Sequence, residues 1–187
     1  MTTRLTLLAA APTAANRAFA FPTDEPAEAK ALAYLSTLED RLPHPDRVLT
    51  SPAQAARQTA EALGLSAMPE DLLRECDYRN WTGRTLAEME AEAPAAVVQW
   101  LSDPAAAPHG GESVAALIAR AAEFLAAESG APGQVLAVTH PAFIRAAIVH
   151  ALSAPPSSFW RIDVAPLSVT QLSGARGRWN LSALENP

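Results

Sequence analysis

The chain offers few candidates for nucleophilic or acid-base chemistry: four histidines, His44, His109, His140 and His150, and one cysteine, Cys76. His140 closes the apolar run Val135 to Thr139, and α/β enzymes gather their chemistry at the carboxyl ends of such strands. An imidazole there either transfers protons near neutral pH or sits in the core as a satisfied polar group. Glu75 lies in the polar stretch LRECDYRNWTG, Leu72 to Gly83, as a solvated loop charge or a pocket acid. Its neighbour Cys76 invites thiol-based phosphoryl transfer, but that chemistry needs an arginine six residues on, and position 82 is Thr82. A buried structural cysteine is the better reading. The segment PHGGES, Pro108 to Ser113, looks like an esterase oxyanion segment, yet no Gly-x-Ser-x-Gly elbow accompanies it. It reads as a loop and helix start. The stretch LTLLAAAPTAANR, residues 5–17, is also a strand end, and beyond alanine and proline it offers only Thr13 and Asn16 before Arg17.

Positioning these groups requires strands, and apolar runs predict them at Leu5 to Ala9, Arg47 to Thr50, Gln134 to Thr139, Ser168 to Leu172 and Trp179 to Leu181. Helical patterns lie between them. Pro26 to Arg41 places Leu32, Leu35 and Leu38 at helical spacing, and Ser51 to Leu63 opens with Ser and Pro as N-cap and N1. Thr85 to Leu101 is helical in two pieces broken at Pro94, Glu112 to Glu128 is amphipathic, and His140 to Leu152 stops before Pro155. Strands alternating with helices predict a three-layer α/β/α sandwich with a mostly parallel central sheet, as a single domain over residues 1–187.

The 187 residues are 49% hydrophobic, enough to bury a sizeable core, and a net charge of -6 argues against nucleic acid and anionic membrane surfaces as partners. One cysteine excludes an internal disulfide and a thiolate metal cluster. No metal or cofactor is expected. The apolar run after Arg4 is too short for a secretory or membrane-spanning segment, so a cytoplasmic protein is expected.

Five stretches, in order over about 140 residues, resemble the histidine phosphatase superfamily, also called phosphoglycerate mutase-like. The family opens with a strand ending in Arg-His-Gly, then x-Thr-x-x-Asn; here that frame reads Ala9-Ala10-Ala11-Pro12-Thr13-Ala14-Ala15-Asn16. Its Ser-x-Leu-x-Arg-Ala-x-x-Thr-Ala helix start corresponds to SPAQAARQTA, Ser51 to Ala60. Its acidic loop corresponds to Leu73, Glu75, Tyr78, Arg79, Trp81 and Gly83, and its Gly-Glu-Ser helix start to Gly111, Glu112 and Ser113, with Arg120 following. Its strand into Ser/Thr-His-Gly appears as VLAVTHPAFIR, Val135 to Arg145. In length the chain is similar to small phosphatases of the α-ribazole phosphatase type.

The resemblance implies a phosphoryl group passed to a histidine, held by cations and N–H donors, with an acid for the leaving oxygen. On this chain the nucleophile position is Ala10, the arginine positions are Ala9 and Ala55, and the glycine after the second histidine is Pro141, which has no N–H. His140 matches the second histidine, Glu75 the acid, and Thr13, Asn16 and Ser51 pocket-lining groups, with Arg161 as a further candidate. No histidine precedes residue 44, and Arg57 lies roughly 200° around the helix from position 55. The leading expectation is an inactive phosphatase that binds a small molecule or a protein partner. The alternative is a phosphatase acting through His140 and Glu75 on a small phosphorylated metabolite. A deliberate inactivating change at positions 10 and 55 accounts for less, because Ala9, Pro12 and Pro141 also depart from the pattern.

Overall fold

The computed structural model describes residues 2–35, 44–130 and 132–185. Six strands form one sheet: β1 (Thr3–Ala9), β2 (Arg47–Thr50), β3 (Met68–Pro69), β4 (Gly133–Thr139), β5 (Val169–Ala175) and β6 (Arg178–Glu185). Their order is β3-β2-β4-β1-β5-β6. β1 pairs in parallel with β4, β2 with both β4 and β3, while β5 and β6 join as antiparallel strands. The sheet is therefore mixed, with its parallel part around β4 and β1. Those two strands are buried almost throughout, as expected of apolar runs covered on both faces.

Side-chain alternation along the strands feeds two separate cores. Leu5, Leu7, Val135 and Ala137 face α6 (Val114–Ser129) and α7 (Pro141–Ala151), packing with Leu117, Phe124, Phe143 and Ile144. Leu8, Leu136 and Val138 face α3 (Gln54–Ala62), packing with Ala56, Ala60 and Leu63. Helices on both faces give the expected three layers.

The other helices are α1 (Ala14–Ala18), α2 (Ala29–Tyr34), α4 (Leu86–Glu92) and α5 (Pro94–Ser102). Pro94 starts α5 in the position where its missing N–H costs nothing. Thr85 and Glu88 cap α4 reciprocally, and Ser113 caps α6. Two sequence expectations change here. The helix expected from Ser51 begins at Gln54, with Ala53 as a cap that makes no side-chain bond. The helix expected from Pro26 begins at Ala29, and its portion over residues 36–41 lies outside the described residues. No described helix is long and apolar enough to cross a membrane.

Candidate active site

The ends of β1, β2 and β4 are tied together by backbone bonds. Ala10 N donates to Thr139 O at 2.8 Å, and Ser51 N donates to Val138 O at 2.9 Å. This brings residues 10, 51 and 140 to one sheet edge, as the sequence reading requires. A cavity of about 370 Å³ opens there, lined by Ala10, Ala55, Thr13, Asn16, Glu75 and His140 among others.

Three expected residues stand differently. Ser51 is fully buried behind the lining and binds the His140 ring, with 2.9 Å between Oγ and Nε2. It also accepts from Ala53 N at 3.3 Å, so its hydroxyl is spent on positioning and cannot cap α3. Ala9 is likewise wholly buried. Arg161 ends the 3₁₀ turn Pro156–Arg161, is exposed, and does not line the cavity; burial of Phe159 anchors that turn and leaves the guanidinium in solvent. Thr13 and Asn16 do line the cavity, but as a capping box for α1: Asn16 Oδ1 accepts from Thr13 N at 2.8 Å and from Thr13 Oγ1 at 3.1 Å.

His140 is the N-cap residue of α7 and only 9% exposed. Burial, with Arg120 adding to it and Asp24 opposing, lowers its pKa to about 4, so the ring is neutral at pH 7. Ser51 Oγ accepts from Ala53 N and shares a second hydrogen bond with His140 Nε2, whose direction follows the ring tautomer.

Glu75 rests on a heavily braced wall. Arg120 donates to the carbonyls of Leu72 (2.6 Å), Arg74 (2.8 Å) and Glu75 (3.3 Å), and forks onto both oxygens of Glu112 at 2.8 and 2.7 Å. Gly111 lets this loop close: a Cβ there would stand 1.9 Å from Asp77 O, the carbonyl that accepts from Glu112 N at 2.8 Å. Glu75 Oε1 accepts from Cys76 N at 2.8 Å, and burial raises the carboxyl to about 7 despite that bond and the fields of Arg120 and Arg145. Cys76 is buried with its Sγ 3.4 Å from Glu112 O, and burial pushes its thiol far above the usual range, which removes the thiolate route. Trp81 packs in a ring cluster with Phe21, Trp100 and His109, as a core residue.

The sequence reading missed the segment Pro22 to Glu25, which forms another wall. Asp24 Oδ1 accepts from Gln54 N at 2.7 Å and Glu25 Oε1 from Ala15 N at 3.1 Å, so these carboxylates hold the starts of α3 and α1. An acidic pair between Pro22 and Pro26 is the one signal in the sequence, and it does not reveal the long-range partners.

The chain matches the description "Histidine phosphatase superfamily (branch 1)" over residues 7–187. It belongs to that family. A glucosyl-3-phosphoglycerate phosphatase of Mycobacterium tuberculosis is 35% identical over 143 residues, covering 68% of this chain but 64% of the relative's own length. The solved mycobacterial glucosyl-3-phosphoglycerate phosphatase superposes with TM-score 0.81 at 27% identity over 97% of each chain. A phosphoserine phosphatase of Entamoeba histolytica, in complex with 3-phosphoglyceric acid, shares the fold with TM-score 0.87 at 18% identity over 99% of this chain and 98% of that one. The cavity lining includes Ala10 and Ala55, the positions at which the resemblance implies a nucleophile and an arginine.

Proposed function

We propose that this histidine phosphatase family member is a pseudophosphatase, using the cavity to bind a small molecule or partner without hydrolysing phosphomonoesters. The observation that carries the reading is Ala10: it lines the cavity at the end of β1, where the family pattern requires the nucleophile. His140 is the one histidine in that lining, and its Nε2 is already bonded to Ser51. Arg74 is the only arginine there, and its Nε is bonded to Asp71 O at 3.0 Å. A phosphate dianion would lose its hydration without gaining the charge-assisted bonds that offset it. A single buried thiol suits a reducing, cytoplasmic setting.

A second reading rests on the Glu75 and His140 pair, one carboxyl lifted to about 7 and one imidazole held neutral, together with relatives named as phosphatases. Such a pair is suited to proton transfer at neutral pH. Assay of an aryl phosphate from pH 5 to 8 separates the two. The pseudophosphatase reading expects equal background rates from the wild type and His140→Ala. Turnover that His140→Ala abolishes establishes the second reading, because a contaminant does not depend on that residue.

A further inference from the structure

We propose that β6 is the surface through which two copies of this chain associate: the strand pairs antiparallel with its own counterpart about a two-fold axis, setting Arg178 of each copy opposite Glu185 of the other. This association is independent of what the cavity binds or hydrolyses.

The two edges of the sheet differ. β3 is two residues long and includes Pro69, which has no N–H to offer a further strand. β6 runs over eight residues, Arg178–Glu185, with no proline, no glycine and no charge between its two ends. Among the described residues its backbone bonds only to β5, which leaves its outer row of N–H and C=O groups open to another strand. Arg178 and Glu185 are both exposed, and neither forms an ion pair among the described residues. Their signs select a second copy as the occupant. Antiparallel pairing about a two-fold axis brings the first residue of one strand opposite the last of the other, so the opposite charges meet at both ends.

The backbone phase agrees with that register. Ala9 N donates to Ser168 O at 3.0 Å and Ala9 O accepts from Leu167 N at 3.1 Å, whereas Ala10 N donates to Thr139 O at 2.8 Å. Odd residues of β1 therefore bond toward β5 and even ones toward β4. Carried across the pairing of β1 with β5, this leaves Val169, Gln171, Ser173 and Ala175 to bond toward β6, where their partners are Glu185, Ala183, Asn180 and Arg178. Trp179, Leu181 and Leu184 then point their backbone groups away from β5. The register shift that leaves Ser182 as an extra residue is what puts Trp179 and Leu184 in the same phase. In the proposed register these two exchange backbone hydrogen bonds between copies, and Arg178 and Glu185 form the adjoining pair whose side chains lie closer. Leu184, 42% exposed, comes to lie beside Trp179 of the other copy, whose ring covers Gly174 and whose Nε1 donates to Leu125 O at 3.1 Å. The two copies of β1 run antiparallel in the joined sheet, so the two cavities stand at its opposite edges.

Sedimentation velocity of the whole chain at low salt, from about 1 μM to about 1 mM, should show a monomer passing to a dimer. Arg178→Glu and Glu185→Arg each set like charges opposite at both ends and should weaken the dimer about tenfold, while the double exchange Arg178→Glu, Glu185→Arg should return it to within about threefold of the wild type. Leu184→Pro removes an N–H that β5 does not use, so it should abolish the dimer with the circular dichroism spectrum unchanged. A chain that stays monomeric throughout overturns the proposal, as does a dimer that Leu184→Pro leaves intact. Indifference to the charge reversals, or no recovery in the double exchange, overturns the register and the proposal with it. If Leu184→Pro unfolds, the charge exchange decides alone, because both of its side chains are exposed.

Discussion

Two walls of one cavity have been built by different rules. The wall carrying Glu75 is held by the five bonds of Arg120, by the Glu112 carboxylate and by the close approach at Gly111. The wall at the end of β1 and the start of α3 is alanine, with Ala10, Ala11 and Ala55 packed into the apolar cluster beneath. The first wall contains polar groups whose partners are buried with them, so losing any one leaves others unsatisfied. The second wall carries alanine where the resemblance implies polar groups, and these side chains bring no buried donor or acceptor that needs a partner. On the pseudophosphatase reading proposed above, the fold retains its internal bracing without the side chains that perform the family's chemistry.

The sharpest way to break this comparison is at Arg120. Arg120→Ala should cost about 3 kcal/mol by urea denaturation, since it leaves Glu112 unpaired in a partly buried site and three carbonyls without their donor. Arg120→Lys should recover little, because one ammonium cannot reproduce the fork onto Glu112. A cost below about 1 kcal/mol for Arg120→Ala would mean that the brace is ornamental.

The acid-base pair gives a second test of similar size. Folded Glu75 keeps its proton to about pH 7 against 4.5 for an ordinary glutamate, so between those values the folded state binds more protons and stability falls as pH rises. His140 acts oppositely: its pKa is about 4 folded against 6.5, so the unfolded state binds more protons and stability rises over that window. The two slopes should cancel between about pH 4.5 and 6.5. In Glu75→Gln, stability should rise by up to about 3 kcal/mol from pH 4 to 6.5; in His140→Asn, it should fall by a similar amount from pH 4.5 to 7. Parallel pH profiles for the wild type and both variants would remove these two shifted groups from the account.

Much of this was legible in the sequence. Long apolar strands such as Val135 to Thr139 declare themselves because both faces are buried, and Pro94 and Ser113 mark helix starts through local chemistry. β3 was not legible: two residues, one of them proline, carry no periodicity, and only pairing with β2 defines them. Ser51 misled, since Ser-Pro is a good helix opening and only the fold shows its hydroxyl committed to His140. Asp24 and Glu25 were invisible for the same reason, as their partners Gln54 and Ala15 are set by tertiary approach. The gaps at 9, 10 and 55 were visible only because a resemblance said what should stand there.

The alanine wall should show the smallest effect. Ala10→Ser is expected to cost less than about 1 kcal/mol by thermal or urea denaturation, because the added hydroxyl meets the open cavity. A loss as large as that of Arg120→Ala would show that Ala10 is close-packed.

The central claim, that the cavity has lost its capacity for phosphate, is tested most directly by calorimetric titration of the unmodified chain with inorganic phosphate at pH 7. With carboxylates at Asp24 and Glu25, a neutral His140 and Arg74 as the single guanidinium of the lining, the expected dissociation constant is weaker than about 1 mM, or about -4 kcal/mol. Micromolar binding would contradict the account and show that a cation completes the site, with Arg74 and then Arg145 the first to replace.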